Sequence, residues 1–473
     1  MSQAGSFKKA EQAMARIPAQ SRNSIDGHPA ADHPLSVRST KRLLPGPLGR
    51  LINHPVRPLY DQENSALPRR LAALRRQVRH FAETELSPVA LEADQQAHGK
   101  PGELPPVQAR VLTAAARAGL FTDLLPWPLG SASPLLFLNS PGWQICIKTE
   151  ELARGCGGLM LLIMAHSLGV SPVLIGGGFG AFRRFVRPAF RETLTGNPHL
   201  FAFAITEPGL GSDAEEGHGA SHNKPGVVAR KTKGGYRLSG RKCFISGGDI
   251  ARSITVFAAL ENEGIESWTC FLVPNPSAGL TVQRNELKMG MRASSASELL
   301  FDDVFVPRSH IIGGRRKGWA LNRVCLNFSR LPVASMAVGL AQQALEIARD
   351  FACGYRLGGR PLINYQEIQL QLADMTAATS SIRSLVWSSA RSHRLRSLNT
   401  AMCKFYCTDV ATAVADEAMD LLSNHGVLGR NLAEKNFRDV RLTRIFEGTN
   451  QINRLALIED MQEDLLHRMQ ENP

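Results

Sequence analysis

Near the end of the chain one carboxylate is placed for proton chemistry. Glu447 follows the bulky pair Ile445-Phe446 and precedes Gly448, with Arg438, Arg441 and Arg444 upstream. Large apolar neighbours desolvate a carboxyl, which disfavours its charged form and moves its pKa toward neutrality, where a general base works best. Thr449 has the residue type of an N-cap for a closing helix from Gln451 to about Leu465, whose first N–H groups would face a ligand. On residue types alone the run also reads as a corner between helices with a solvated Glu.

Three other stretches carry chemistry-bearing residues. In Phe203-Ala204-Ile205-Thr206-Glu207-Pro208-Gly209-Leu210-Gly211-Ser212-Asp213 a strand runs into a Pro-Gly turn. Its amides and two hydroxyls can cradle a ring edge or a phosphate, although an ordinary strand exit looks the same. Lys242-Cys243-Phe244-Ile245-Ser246-Gly247-Gly248 ends a second strand on an aromatic and a hydroxyl. Asn327-Phe328-Ser329-Arg330 puts an amide and a guanidinium at the head of a helix, where an Arg is often only solvated. His218 and His222 sit four apart, but Gly217, Gly219 and Pro225 preclude the helix that would make them a ligand pair, so no metal is expected.

These stretches need elements to hold them. A chain of 473 residues is too long for one core, and 43% hydrophobic with 21% charged residues is globular. No apolar run reaches the ~18 residues of a membrane span. The net charge of +13 is spread along the chain rather than bunched with aromatics, which argues against nucleic acid. It suits a phosphate-bearing substrate or an anionic membrane surface. Eight cysteines without C-x-x-C spacing read as reduced core residues.

Residues 1–66 form a basic extension without periodicity, a segment suited to docking on a partner or to peripheral membrane contact. Residues 67–199 carry helical spacing: Leu67 to Leu86, Val107 to Gly119, Trp143–Arg154, Gly157–Ser167 and Ala181–Thr193. Residues 200–313 switch to short β-branched and aromatic runs, with Gly234-Gly235 as a two-residue hairpin turn, and predict a small antiparallel sandwich or barrel. Residues 314–468 return to long helices, Lys317–Ser329, Pro332–Cys353, Tyr365–His393, Leu398–Asn424 and Asn431–Arg444, and predict a four-helix bundle. The fold class is therefore α+β and multidomain: helices, a β domain, then a helical bundle.

The run Ile445, Glu447, Gly448, Thr449, Gln451, Ile452, Arg454 resembles the I-x-E-G-T-x-Q-I-x-R signature of the acyl-CoA dehydrogenase family. The resemblance covers about residues 67–463 and includes the same domain order. It implies Glu447 as catalytic base and FAD as cofactor, bound by Phe203, Ile205, Thr206, Gly211, Ser212, Phe244, Ile245, Ser246, Arg356, Gln366, Gly448, Thr449 and Gln451. Phe244 stands where the family has a Trp against the flavin. Ser212, Asn327 and Arg330 would contact the acyl-CoA substrate. Some family members carry the base at the position of Ser329 or Arg330; neither is acidic here, which leaves Glu447.

The resemblance further implies α,β-dehydrogenation of an acyl-CoA thioester with hydride transfer to FAD, and an electron-transfer flavoprotein as acceptor. It implies a homodimer or homotetramer, or a hetero-oligomer with a related chain, in the cytoplasm or, for a eukaryote, the mitochondrial matrix. Two departures concern the flavin's dinucleotide tail, which the family binds through a neighbouring subunit. Tyr355 and Gly358 replace an Arg and a Phe, and Asp420, Ser423 and Asn424 replace a Gln and a Gly pair. An oxidase or monooxygenase of the same fold, or a non-catalytic assembly subunit, remain the other readings.

Overall fold

The structure, a computed structural model, describes residues 58–96, 100–212 and 225–471, with side chains as far as 462. Most of the N-terminal extension lies outside the described residues, as do Asp213, His218 and His222.

The first layer is helical: α1 (Leu59–Ser65), α2 (Arg69–Phe81), α3 (Pro106–Arg117), α4 (Pro141–Gly155), α5 (Gly157–Gly176) and α6 (Arg187–Leu194). In α2, Leu71, Ala72, Arg75 and Val78 recur at three- and four-residue spacing and are buried. The extension ends earlier than the sequence reading has it. Residues 59–65 are helical, and Glu63 pairs with Arg75 at 3.1 Å and Arg383 at 2.6 Å. Those arginines also meet Glu151 and Glu150, each at 2.7 Å, so the helices are pinned together by a buried charge network as well as by apolar packing.

The second layer is an eight-stranded sheet: β1 (Phe201–Ala204), β2 (Val228–Thr232), β3 (Gly235–Ser246), β4 (Ser253–Leu260), β5 (Thr269–Pro274), β6 (Leu280–Asn285), β7 (Ala296–Pro307) and β8 (Ile311–Ile312). The order is β6-β7-β3-β2-β4-β5-β8, with β1 also on β4. The sheet is mostly antiparallel as expected, except that β4 takes β1 and β2 in parallel. β4 is buried at every residue. Its Ile254, Val256 and Ala258 share one core with β3 and β7, while Phe257 and Ala259 share another with Val173 of α5 and Phe190 of α6. The hairpin turn is Lys233-Gly234, one residue earlier than predicted. Gly234 has φ +84, and Gly235 opens β3, where a Cβ would lie 2.2 Å from the Val306 carbonyl oxygen.

The third layer is α7 (Gly318–Gly354), α8 (Gln366–Ala390), α9 (Ser397–Leu422), α10 (Leu432–Leu442) and α11 (Asn450–Glu471). The sequence reading breaks one helix at Pro332 and stops another at Ser167; α7 and α5 instead run through Pro332 and Pro172. A proline inside a helix removes one backbone bond and costs ~3 kcal/mol or more. In α5 the carbonyl that Pro172 cannot serve, that of Leu168, accepts instead from Ser171 Oγ at 2.8 Å. Both helices are long and apolar enough to cross a membrane, contrary to the sequence reading. However, 67% and 78% of their most apolar windows are buried inside the protein, so tertiary packing accounts for the composition and overrides the prolines.

Candidate active site

Glu447 sits on the turn between α10 and α11 in a left-handed conformation, φ +55, followed by Gly448 at φ +78. For a non-glycine residue that conformation costs ~1–3 kcal/mol and persists only where surrounding groups hold it. They are present here. Asn453 Nδ2 donates to the carbonyl oxygens of Glu447, Gly448 and Thr449 at 3.3, 3.0 and 3.0 Å. Lys404, buried on α9, donates from Nζ to the Gly448 oxygen at 2.5 Å and to Asn450 Oδ1 at 2.9 Å. A trans peptide points its N–H opposite to its C=O. Drawing the carbonyls of Glu447 and Gly448 inward therefore turns the amides of Gly448 and Thr449 away from Lys404 and Asn453. Thr449 is the N-cap, its Oγ1 accepting from Ile452 N–H at 3.3 Å.

The carboxylate of Glu447 meets α7. Ser329 Oγ lies 2.6 Å from Glu447 Oε2, so the chain position that could have carried an alternative base is in contact with the one that does carry a carboxylate. One turn earlier, Cys325 is buried. Burial pushes its thiol up to about 12, with Ser171 opposing and the charge of Glu447 adding to the shift. Cys325 belongs to the same apolar cluster as Phe203, against which Ile205 packs, which ties the Glu447 side of α7 to the end of β1.

At that end, the loop after β1 and the end of β3 are brought together. Cys243 N–H donates to the Thr206 oxygen at 2.9 Å. Lys242 Nζ donates to the Ile205 oxygen and to Glu207 Oε1, both at 2.7 Å, and Glu207 also accepts from the amides of Gly226 and Val227. Glu207 thus fixes the loop rather than facing a ligand. Breaking such a buried pair on one side costs ~3–5 kcal/mol. Beyond it the register of β3 against β7 shifts between Lys242 and Ile245, and Phe244, at φ +57, is turned out and 59% exposed. The ring is therefore not part of the core; an outward ring beside half-buried Thr206 and Ser246 is the arrangement a flat ligand needs.

The other residues that the sequence assigns to the site are placed as follows. The side chains of Phe203 and Ile245 are buried in the two cores and unable to reach a ligand; Phe203 packs on Phe257 with ring centres 5.1 Å apart. Arg330 stands mid-helix and buried, not solvated at a helix start. Asn327 is half-buried, its Oδ1 accepting from Thr400 Oγ1 at 2.5 Å. Gly211 and Gln451 are exposed and Ser212 half-buried, with open space where a Cβ on Gly211 would point. Arg356 and Gln366 lie past the far end of α7, and Arg356 Nη1 donates to the Gly359 oxygen of its own hairpin at 3.0 Å. At 1.5 Å per residue, the end of α7 is roughly 40 Å from Ser329, so these two residues cannot join the Glu447 site within one chain. Tyr355 stacks on Phe351 at 5.0 Å and meets His425 edge-on at 5.3 Å.

Sequence reasoning overlooked Lys404, Lys242 and Asn453. The available signal was a lone lysine within an apolar helix or strand, and two asparagines three apart at a helix start. Beside α7 lies a cavity of ≈ 600 Å³, walled by apolar residues such as Phe81, Leu124 and Leu174, with the Lys148–Asp123 pair and Asn327 among its polar groups. Ser171, the partner of Cys325, is on its wall.

A helical layer, a sheet and a helical bundle, with one carboxylate on the bundle's closing turn, define a recognisable class. The acyl-CoA dehydrogenase N-terminal, middle and C-terminal domains match residues 69–187, 202–304 and 316–462. The short-chain specific acyl-CoA dehydrogenase of Bos taurus mitochondria is 34% identical over 399 residues, 83% of this chain and 90% of that protein. Butyryl-CoA dehydrogenase from Megasphaera elsdenii superposes with a TM-score of 0.74 at 26% identity, over 84% of this chain and 99% of that one. An acyl-CoA dehydrogenase from Bacillus anthracis, solved in complex with FAD, gives 0.74 at 25% identity, over 85% and 68%. The chain belongs to the acyl-CoA dehydrogenase family.

Proposed function

We propose that this chain dehydrogenates an acyl-CoA thioester between its α and β carbons, with Glu447 as the base. The observation that carries the reading is the Glu447 turn: a carboxylate held in a left-handed conformation by Lys404 and Asn453, against α7. Glu447 takes the α-proton as the Cα–H bond breaks, and a positioned carboxylate contributes ~10²–10⁴-fold to such a step. The thioester carbonyl is polarised by the N–H of Glu447, which lowers the acidity barrier at the α-carbon. The cavity beside Ser171 supplies apolar volume along α7, lined by Val324, Asn327 and Phe328 of that helix, and Ser212, Asn327 and Arg330 are assigned to the CoA portion.

The cofactor is FAD, which when bound accepts the β-hydride, so that a C=C bond forms as two hydrogens leave. The residues present fit its ring: the outward Phe244, Thr206 and Ser246, and the open approach at Gly209 and Gly211. Gly448, Thr449 and Gln451 complete that side. The tail-binding residues Arg356 and Gln366 must come from a second copy or a related chain, which favours an oligomer. We assign electron-transfer flavoprotein as the acceptor, and a reducing compartment in view of eight free cysteines, seven of them buried.

The test is anaerobic bleaching of the flavin by a panel of acyl-CoAs, beginning with butyryl-CoA because the relatives' names point to short chains. Bleaching by at least one thioester, with formation of the enoyl product, is expected. A flavin that no thioester bleaches contradicts the reading and favours an assembly role; rapid oxygen uptake with acyl-CoA favours an oxidase.

A further inference from the structure

We propose that Ser329 is a positioning residue for the base, holding the carboxylate of Glu447 in both of its protonation states; this rests on the reading of Glu447 as the base. The Ser329 hydroxyl has two acceptors in reach, Glu447 Oε2 at 2.6 Å and the Leu326 carbonyl oxygen of its own helix at 3.1 Å. It carries one proton and can donate to only one of them at a time. While Glu447 is ionised, Ser329 donates to the carboxylate in a charge-assisted hydrogen bond, among the stronger kinds. Once Glu447 has taken a proton, its O–H donates to Ser329 Oγ, and the serine proton turns to Leu326. The oxygen pair stays together through the transfer, so the base need not break from its partner in order to react.

The site suits such a device because Ser329 is buried on a continuous helix that is itself packed against α4 and α9. Among the ionisable groups on the surrounding elements are Cys325 on α7, whose thiol stays neutral, Arg330, buried and next in sequence to Ser329, and Lys404 on α9, bonded to the carbonyl of Gly448. None of these supplies a hydroxyl that can both donate and accept. Hydrogen bonding to the charged form favours that form, so removing the hydroxyl must raise the pH at which the base becomes ionised.

The experiment compares Ser329→Ala and Ser329→Thr in the flavin-loaded protein. In Ser329→Ala the acid limb of the kcat/KM profile is expected to move up by about one pH unit, the difference between a hydrogen bond to the charged carboxylate and one to the neutral acid. At neutral pH kcat should fall by up to about tenfold, with KM little changed, while flavin content and melting temperature stay at wild-type values. Ser329→Thr, which restores the hydroxyl, should return the wild-type profile. An unshifted acid limb in Ser329→Ala, or a threonine variant that behaves like the alanine one, overturns the proposal. Glu447→Gln separates the two assignments: if it is inactive while Ser329→Ala has the wild-type profile, the base stands and the role of Ser329 falls; if Glu447→Gln is active, the base assignment itself fails.

Discussion

Lys404 Nζ lies 2.5 Å from the carbonyl oxygen of Gly448, the residue immediately after Glu447, and Lys404 is wholly buried. A cation from the first third of α9 thus holds the turn on which the reactive carboxylate stands, with Asn450 also accepting from it at 2.9 Å. Substituting Lys404→Met leaves a buried carbonyl and a buried amide oxygen each without that donor, at about 1–3 kcal/mol per group. Urea unfolding should show a loss in that range or somewhat above it. Turnover of the surviving folded protein should fall as well, because the left-handed conformation of Glu447 loses one of its restraints. A variant with wild-type stability and turnover would mean that Asn453 alone holds the turn.

His166 gives a pH dependence of stability. Phe201 N–H donates to its Nδ1 at 3.2 Å, so Nε2 carries the proton and donates to the Phe121 oxygen at 3.0 Å, tying α5 to β1. Burial drives its pKa down from 6.5 to about 3. Between those values the unfolded chain binds a proton that the folded one refuses. Stability from this group is therefore complete above about 6.5 and lost as the pH falls toward 3, by up to about 1.4 kcal/mol per unit. The stability advantage of wild type over His166→Gln should shrink as urea melts are taken from pH 7.5 down to pH 5. A gap that stays constant over that range would show that the folded protein protonates the imidazole as readily as the unfolded chain does.

On the family resemblance, the tail of FAD is the part of the cofactor this chain is expected to favour least. Asp420 is exposed near the end of α9, where the family resemblance places a Gln facing the pyrophosphate, and Arg356 is occupied by Gly359. Like charges ~4 Å apart cost about 1–4 kcal/mol at effective dielectrics of 80 to 20. Flavin should therefore be lost on gel filtration of the singly expressed protein, and Asp420→Gln should tighten its binding about fivefold or more in a titration. One FAD per chain retained through gel filtration by the unsubstituted protein would contradict this and assign the contact to Arg356.

The closing turn is legible in the sequence because it is local: Thr449 caps α11, as its residue type implies. What was not legible depends on partners far apart in the chain. Strand alternation puts Phe201 and Phe203 on the same side of β1, yet only the packing of α5 and α6 shows that this side is covered. Pro172 and Pro332 are locally correct stop signals that tertiary burial overrides. Lys404 and Lys242 read as misplaced charges until the carbonyl of Gly448 and the carboxylate of Glu207 are seen against them. In the sequence Ser329 reads only as a residue that is not acidic; its contact with Glu447 joins positions 118 residues apart.

The central claim is that Glu447 is the base, and one measurement addresses it most directly: anaerobic stopped-flow reduction of the bound flavin by acyl-CoA in Glu447→Gln. The amide preserves the size of the side chain and can still hydrogen-bond Ser329, so fold and flavin content should be unchanged. The rate of flavin reduction should fall by ~10²–10⁴-fold, the contribution of a positioned base. Reduction at more than about a tenth of the wild-type rate would contradict the assignment and require another group to take the α-proton.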